Sequence, residues 1–155
     1  MKTTRKILTF VAALCALPTG LLHAQSSQVA RFTTPFPFYV CDREMPAGSY
    51  MVREQYLGSH VLLIENIDQP DSAYVLYNPT QSARPASQGW ARFHQYGDAK
   101  YLSSLMPAGE EAGMEILPGK AEKRALSQER ANASSQETAN ASTISIALQP
   151  VVSGI

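Results

Sequence analysis

Trp90-Ala91-Arg92-Phe93-His94-Gln95-Tyr96-Gly97-Asp98-Ala99-Lys100-Tyr101-Leu102-Ser103-Ser104-Leu105-Met106 is the stretch that decides the fold class. Two runs rich in aromatic and aliphatic residues flank Gly97-Asp98, and glycine in the first position of a two-residue loop marks a type II′ hairpin turn. That register sets Phe93 opposite Leu102, His94 opposite Tyr101 and Trp90 opposite Leu105. One face then carries Phe93 and Leu102. The other carries Trp90, Arg92, His94, Tyr96, Tyr101 and Leu105.

Working outward, the chain from Val29 to Pro118 continues in the same manner, with short β-branched and aromatic runs broken by Pro, Gly, Asn and Asp. This spacing predicts an all-β domain over residues 29–118, a small antiparallel barrel or sandwich of about six to eight strands. Arg31 to Cys41 alternates Phe32, Thr34, Phe36, Phe38 and Val40 against Pro35 and Pro37 on the opposite parity. Two prolines on one side remove ladder donors there and place this run at an edge, or make it a late entrant to the sheet. Met45-Pro46-Ala47-Gly48 reads as a turn, and Met106-Pro107-Ala108-Gly109 repeats it residue for residue. Ser49 to Tyr56 alternates as a strand. Val61-Leu62-Leu63-Ile64 is apolar on both parities, the pattern of a strand covered on two sides. Asn78-Pro79 reads as the start of a loop.

Composition changes after Pro118-Gly119. Residues 119–131 favour a short helix whose only large aliphatic residue is Leu126, so it has little to bury. Residues 132–155 read as a flexible tail in which Ile144, Ile146 and Leu148 alternate as a possible last strand. A loose end is slightly favoured over closure of the sheet by this segment. At the other terminus Lys2, Arg5 and Lys6 precede the apolar run Ile7–Leu17, and Leu22-His23-Ala24 ends on a small residue. Residues 1–24 therefore read as a secretory signal peptide, and the expected location is periplasmic or extracellular. The apolar run is too short to serve as a transmembrane anchor, which needs about 20 residues. Processing leaves ten basic against 13 acidic residues, a net of about −3 with no basic cluster. That balance argues against a nucleic-acid partner. Cys41 becomes the sole cysteine, so no internal disulfide forms and stability must come from an apolar core.

Chemistry-bearing motifs are scarce. His60 and His94 are far apart in sequence and fit no metal-ligand spacing; no phosphate loop, dinucleotide fingerprint or nucleophile elbow is present, and no cofactor is implied. A Cys41–His94 thiol–imidazole pair has no local support, and Glu110-Glu111 fits a solvated acidic pair. The sequence thus points away from an enzyme. Its sharpest feature is the hairpin face with Trp90, Arg92, His94, Tyr96 and Tyr101, a candidate surface for stacking and orienting a small ligand. The plainer reading, cross-strand aromatic pairing that steadies the sheet, is preferred. The functional expectation is a non-catalytic exported domain binding a small apolar or carbohydrate ligand. The alternative is a structural or protein-interaction module of the cell envelope.

Phe36-Pro37-Phe38, Met45-Pro46-Ala47-Gly48-Ser49-Tyr50, Phe93-His94-Gln95-Tyr96-Gly97-Asp98 with Tyr101-Leu102, and Ala121-Glu122-Lys123 together resemble an uncharacterised group of small exported β-rich proteins of acidobacterial type. The likeness spans roughly residues 31–126. Met45 stands in a Leu slot, Tyr101 in a Phe slot and Lys100 in a Tyr slot of that pattern. The resemblance implies a shared fold and export, and it carries over no catalytic or binding residue.

Overall fold

A computed structural model describes residues 28–135 and 142–149. The signal peptide expected over residues 1–24 lies outside the described residues, as do 136–141 and 150–155 of the tail. The strands are β1 (Gln28–Thr34), β2 (Phe38–Val40), β3 (Arg43–Met45), β4 (Gly48–Glu54), β5 (Val61–Asn66), β6 (Ser72–Gln81), β7 (Trp90–Tyr96), β8 (Ala99–Met106), β9 (Ala112–Ile116) and β10 (Ser142–Ala147). Helix α1 (Lys120–Ser135) lies between β9 and β10. The chain is mostly β with one short helix, and no helix among the described residues is long and apolar enough to cross a membrane.

The ten strands exceed the expected number, because the Arg31–Cys41 run is two strands and a third follows it at once. Pro35-Phe36-Pro37 breaks the run, and the Thr34 hydroxyl binds the break by donating to the Phe36 carbonyl at 2.9 Å. Strand order is β1-β4-β5-β6-β9-β8-β2-β3, with β7 joining β8 to β10. Every ladder is antiparallel except that of β2 with β8, where Tyr39 and Tyr101 pair in parallel. The sheet is therefore mixed, not purely antiparallel.

It is also open. Among the described residues β1 meets the segment just after β10 through one isolated bridge, Arg31 to Gln149, in which the Gln149 amide donates to the Arg31 carbonyl at 2.7 Å. The tail is not a loose end, since β10 pairs with β7 from Ser142↔Gln95 to Ala147↔Trp90. Ile144, Ile146 and Leu148 rest half-buried against the core, which gives that segment a reason to dock. The helix likewise runs to Ser135, beyond the expected residue 131.

Pro79 lies inside β6 and not in a loop. The strand changes partners at Tyr77, pairing with β5 before it and with β9 from it onward. Tyr77 directs its amide to His60 on the β5 side. By alternation Pro79 turns its nitrogen to that same edge, beyond the end of the β5 ladder, so the missing donor costs nothing there.

Phe32, Phe38, Tyr50, Leu62, Ile64, Phe93, Leu102 and Leu105 fill the core. Tyr50 is fully buried, and its hydroxyl donates to the Pro46 carbonyl and accepts from Asn66 Nδ2 at 3.0 Å. The Asn66 carboxamide oxygen in turn accepts the Asp68 and Gln69 amides. This network explains why the first Met-Pro-Ala-Gly is a tight two-residue link from β3 to β4. The second copy does not repeat the turn: Pro107 to Glu111 forms a five-residue loop, with no tyrosine at the matching position.

The hairpin turn is of the expected kind. Gly97 has φ +58°, Asp98 does not share the positive region, and Tyr96 pairs with Ala99. A Cβ at Gly97 meets nothing within 4 Å, so a substitution there tests conformation alone. Gly97→Val is expected to lose more than about 1 kcal/mol in denaturant unfolding, and Gly97→Asn much less. An unchanged midpoint for the valine variant rejects the turn type. Tyr50→Phe leaves Asn66 and Pro46 without their shared partner and is expected to cost about 1–3 kcal/mol, read by the same unfolding curves.

Candidate functional site

The outer face of the β7–β8 hairpin differs from the sequence register at one point. Phe93 opposes Leu102 and His94 opposes Tyr101 as expected, but Trp90 opposes Met106 and Ala91 opposes Leu105. The cause is a bulge between Arg92 and Phe93, where Ser103 is the extra residue and its hydroxyl donates to the Arg92 carbonyl at 3.0 Å. Beyond the bulge the parity flips, so Leu105 joins the core instead of the aromatic face.

Trp90, Arg92, His94, Tyr96 and Tyr101 do lie on one side of the sheet, yet most are already engaged. The Arg92 guanidinium sits 3.8 Å from the centre of the Trp90 ring. His94 Nδ1 lies 2.8 Å from the Glu122 carboxylate. Tyr101 is only 6 % exposed, stacked on Tyr39 at 5.2 Å and flanked by Tyr96 at 5.8 Å. Burial, with Glu122 adding, raises the pKa of Tyr96 above that of an ordinary tyrosine. Burial does the same for Tyr101, helped first by Tyr39 and then by Glu122. Both therefore stay neutral donors at physiological pH.

Helix α1 occupies this face. Ala121, Glu122, Ala125, Leu126 and Glu129 recur at helical spacing, and all are buried or half-buried. With Leu126 as its one large aliphatic residue, the helix also docks through Glu122 on His94 and through its N-terminus. The Ala121 amide donates to Asp42 Oδ1 at 2.7 Å, so the β2–β3 turn supplies the cap from far along the chain. Gly119 is needed at this crossing, because a Cβ there would lie 2.6 Å from the Cys41 carbonyl carbon. Cys41 itself adopts φ +55°, and its thiol donates to the Leu117 carbonyl. Burial, with Asp42 and then Glu122 contributing, pushes the thiol above its ordinary pKa, so it is a poor nucleophile.

Other titratable side chains do not converge. Glu54 accepts from the Tyr77 hydroxyl at 3.1 Å and from the Gly58 amide, while Cys41 and His94 bond elsewhere. Among the described residues no three His, Cys, Asp or Glu side chains gather as a metal site would require. Two surface clefts open near the β1–β10 bridge, of about 540 and 300 Å³, sharing Val29, Pro107 and Glu110. Their linings reach the core at Ala30 and Met114.

One surface escaped the sequence reading. Val61 and Leu63 are half-buried and alternate with the buried Leu62 and Ile64, and among the described residues no strand or helix packs on their side of β5. They pair across with Leu76 and Tyr74, which are 56 % and 63 % exposed. Leu117, whose amide donates to the Leu76 carbonyl, extends the patch. The apolar run on both parities was the signal; half of the cover it implied is not supplied by the fold.

Asp42→Ala removes the α1 cap while leaving the core intact. The expected cost is about 1 kcal/mol, with faster amide exchange in α1 and unchanged exchange in β4 and β5. Equal protection in the helix would show that Asp42 does not hold it.

Comparison of the chain with protein-family models, with curated proteins and with solved structures finds no match.

Proposed function

We propose that this chain is an exported, non-catalytic interaction module of the cell envelope that engages a protein through the outer face of β5 and β6. Export rests on the basic, apolar and small-residue pattern of positions 1–24 and on the likeness to small exported β-rich proteins. One observation carries the choice of a protein over a small ligand: among the described residues the interior is filled with side chains. Phe32, Phe38, Phe93, Tyr50, Met45, Leu62, Ile64, Leu102 and Leu105 are all fully buried where a carrier would keep a lined cavity. The apolar residues left over are displayed on a sheet face as a contiguous patch, the ordinary mark of a protein contact.

We infer further that β1, β4, β5, β6, β9, β8, β7 and β10 form a small barrel whose last seam is the β1–β10 bridge. Three contacts, two of them at that seam, support the reading. These are the Arg31–Gln149 bridge, the Gln149 side-chain amide at 3.3 Å from the Thr33 hydroxyl, and the packing of Phe32 on Phe93 across the interior. The second reading, a small apolar ligand, finds its support in the clefts beside this seam, with Val29, Ala30 and Leu148 in their lining.

Native mass spectrometry of the exported protein purified gently from its host separates the two. A chain free of small-molecule adducts is expected. A reproducible extra mass that leaves on denaturation overturns the interaction module in favour of a carrier.

A further inference from the structure

The partner chemistry of the β5–β6 face can be read from its layout, on the footing of the interaction role proposed above. Three rows cross the sheet there. Arg53, Leu63 and Tyr74 lie in one row by the ladder register, and Val61 and Leu76 lie in the next, with Leu117 beyond them. Met51, Glu65 and Ser72 form the third row. The apolar centre is thus bordered by one cation and one anion, Arg53 and Glu65, whose Nε and Oε2 are 3.4 Å apart and whose side chains are 41 % and 36 % exposed.

A surface with both signs on one border and apolar residues beside them is complementary to itself. On ideal sheet spacings, consider a two-fold axis in the contact plane that passes midway between Arg53 and Glu65 and over Tyr74. It sets each Arg53 against Glu65 of the second copy, and each Tyr74 beside its own counterpart. It also crosses the two sheets at a steep angle, within the orthogonal class of sheet packing. An interface of this symmetry uses the same patch twice, so residue i meets residue j and j meets i. A partner of one dominant charge would leave either Arg53 or Glu65 facing its like, a contact that is repulsive.

Strand addition to β5 is excluded, because β5 is hydrogen-bonded to β4 on one edge and to β6 on the other. A partner on the outer face of the sheet therefore meets side chains. We propose that a second copy of this chain covers the outer face of β5 and β6, forming a two-fold dimer in which Leu63, Tyr74 and Leu76 pack at the centre and Arg53 pairs with Glu65 across the axis.

The test uses the full exported chain and two charge reversals. Native mass spectrometry and light scattering over a concentration series should show monomer giving way to dimer. Leu76→Asp should weaken the dimer by more than about tenfold, close to 1.4 kcal/mol, with an unchanged circular dichroism spectrum because Leu76 is already solvent-facing. Arg53→Glu and Glu65→Arg should each weaken it alone. A mixture of those two variants should form the heterodimer in excess of either homodimer, since both crossed pairs are then opposite in sign while neither chain regains its internal pair. A dimer indifferent to Leu76→Asp, or a mixture without heterodimer preference, overturns the proposal by placing the interface elsewhere. A chain monomeric at every concentration also overturns it. In that case envelope capture that is lost on Tyr74→Asp leaves the interaction role standing with a different partner. Capture of nothing removes both.

Discussion

Everything in this fold hangs on four rings that meet at its centre. Phe32 of β1 stacks on Tyr50 of β4 at 5.4 Å and meets Phe93 of β7 at 6.1 Å. Phe38 of β2 meets Tyr50 at 5.0 Å and Phe93 at 5.2 Å, edge to face in both cases. In strand order β1 and β7 stand far apart, so these ring contacts join distant strands of the sheet. Such ring pairs contribute about 0.5–1.5 kcal/mol each beyond the area they bury. Leu62, Ile64, Leu102 and Leu105 pack around them to complete the core.

The same cluster explains which parts of the architecture were legible in the chain. Phe32, Phe38 and Val40 alternate with exposed prolines, and their burial follows parity even though Pro35 and Pro37 split the run in two. The II′ turn at Gly97 was legible because a positive φ at the first loop position selects glycine. What stayed hidden was non-local. Nothing in Cys41-Asp42 announces a two-residue turn, since cysteine rarely adopts φ near +55°. Nothing in α1 announces that its cap comes from Asp42. The Ser103 bulge adds one residue to a strand without any glycine to betray it, and that single residue moved Leu105 from the surface to the core.

The hairpin face shows the same limit in functional terms. Residue types there were right for a binding surface, and all five lie on one side of the sheet. Their partners decide what they do. Glu122, an unpromising acidic residue in a polar helix, is 6 % exposed and takes His94, while Tyr39 takes Tyr101. An amphipathic stripe of Ala, Glu and Leu is a weak signal for docking, because a buried carboxylate is favoured only when a partner awaits it. That partner lies on another strand and is invisible to local pattern.

Apolar residues in β5 and β6 exceed what one interior can hold, and their arrangement separates a purposeful surface from an aggregation hazard. A hazard of the usual kind is a free hydrophobic edge that templates further strands. Here Val61 and Leu63 sit in β5, which is paired on both edges, so their backbone donors and acceptors are consumed. Any association must then satisfy shape and charge at Arg53 and Glu65, where misalignment by one row sets a charge against an aliphatic side chain. Burying either ion unpaired costs more than the apolar contact regains. The ion pair therefore penalises every arrangement but a few, and the aliphatic rows give those few their affinity. A mixed-sign border around an apolar centre is the composition that permits one kind of contact while resisting indiscriminate ones.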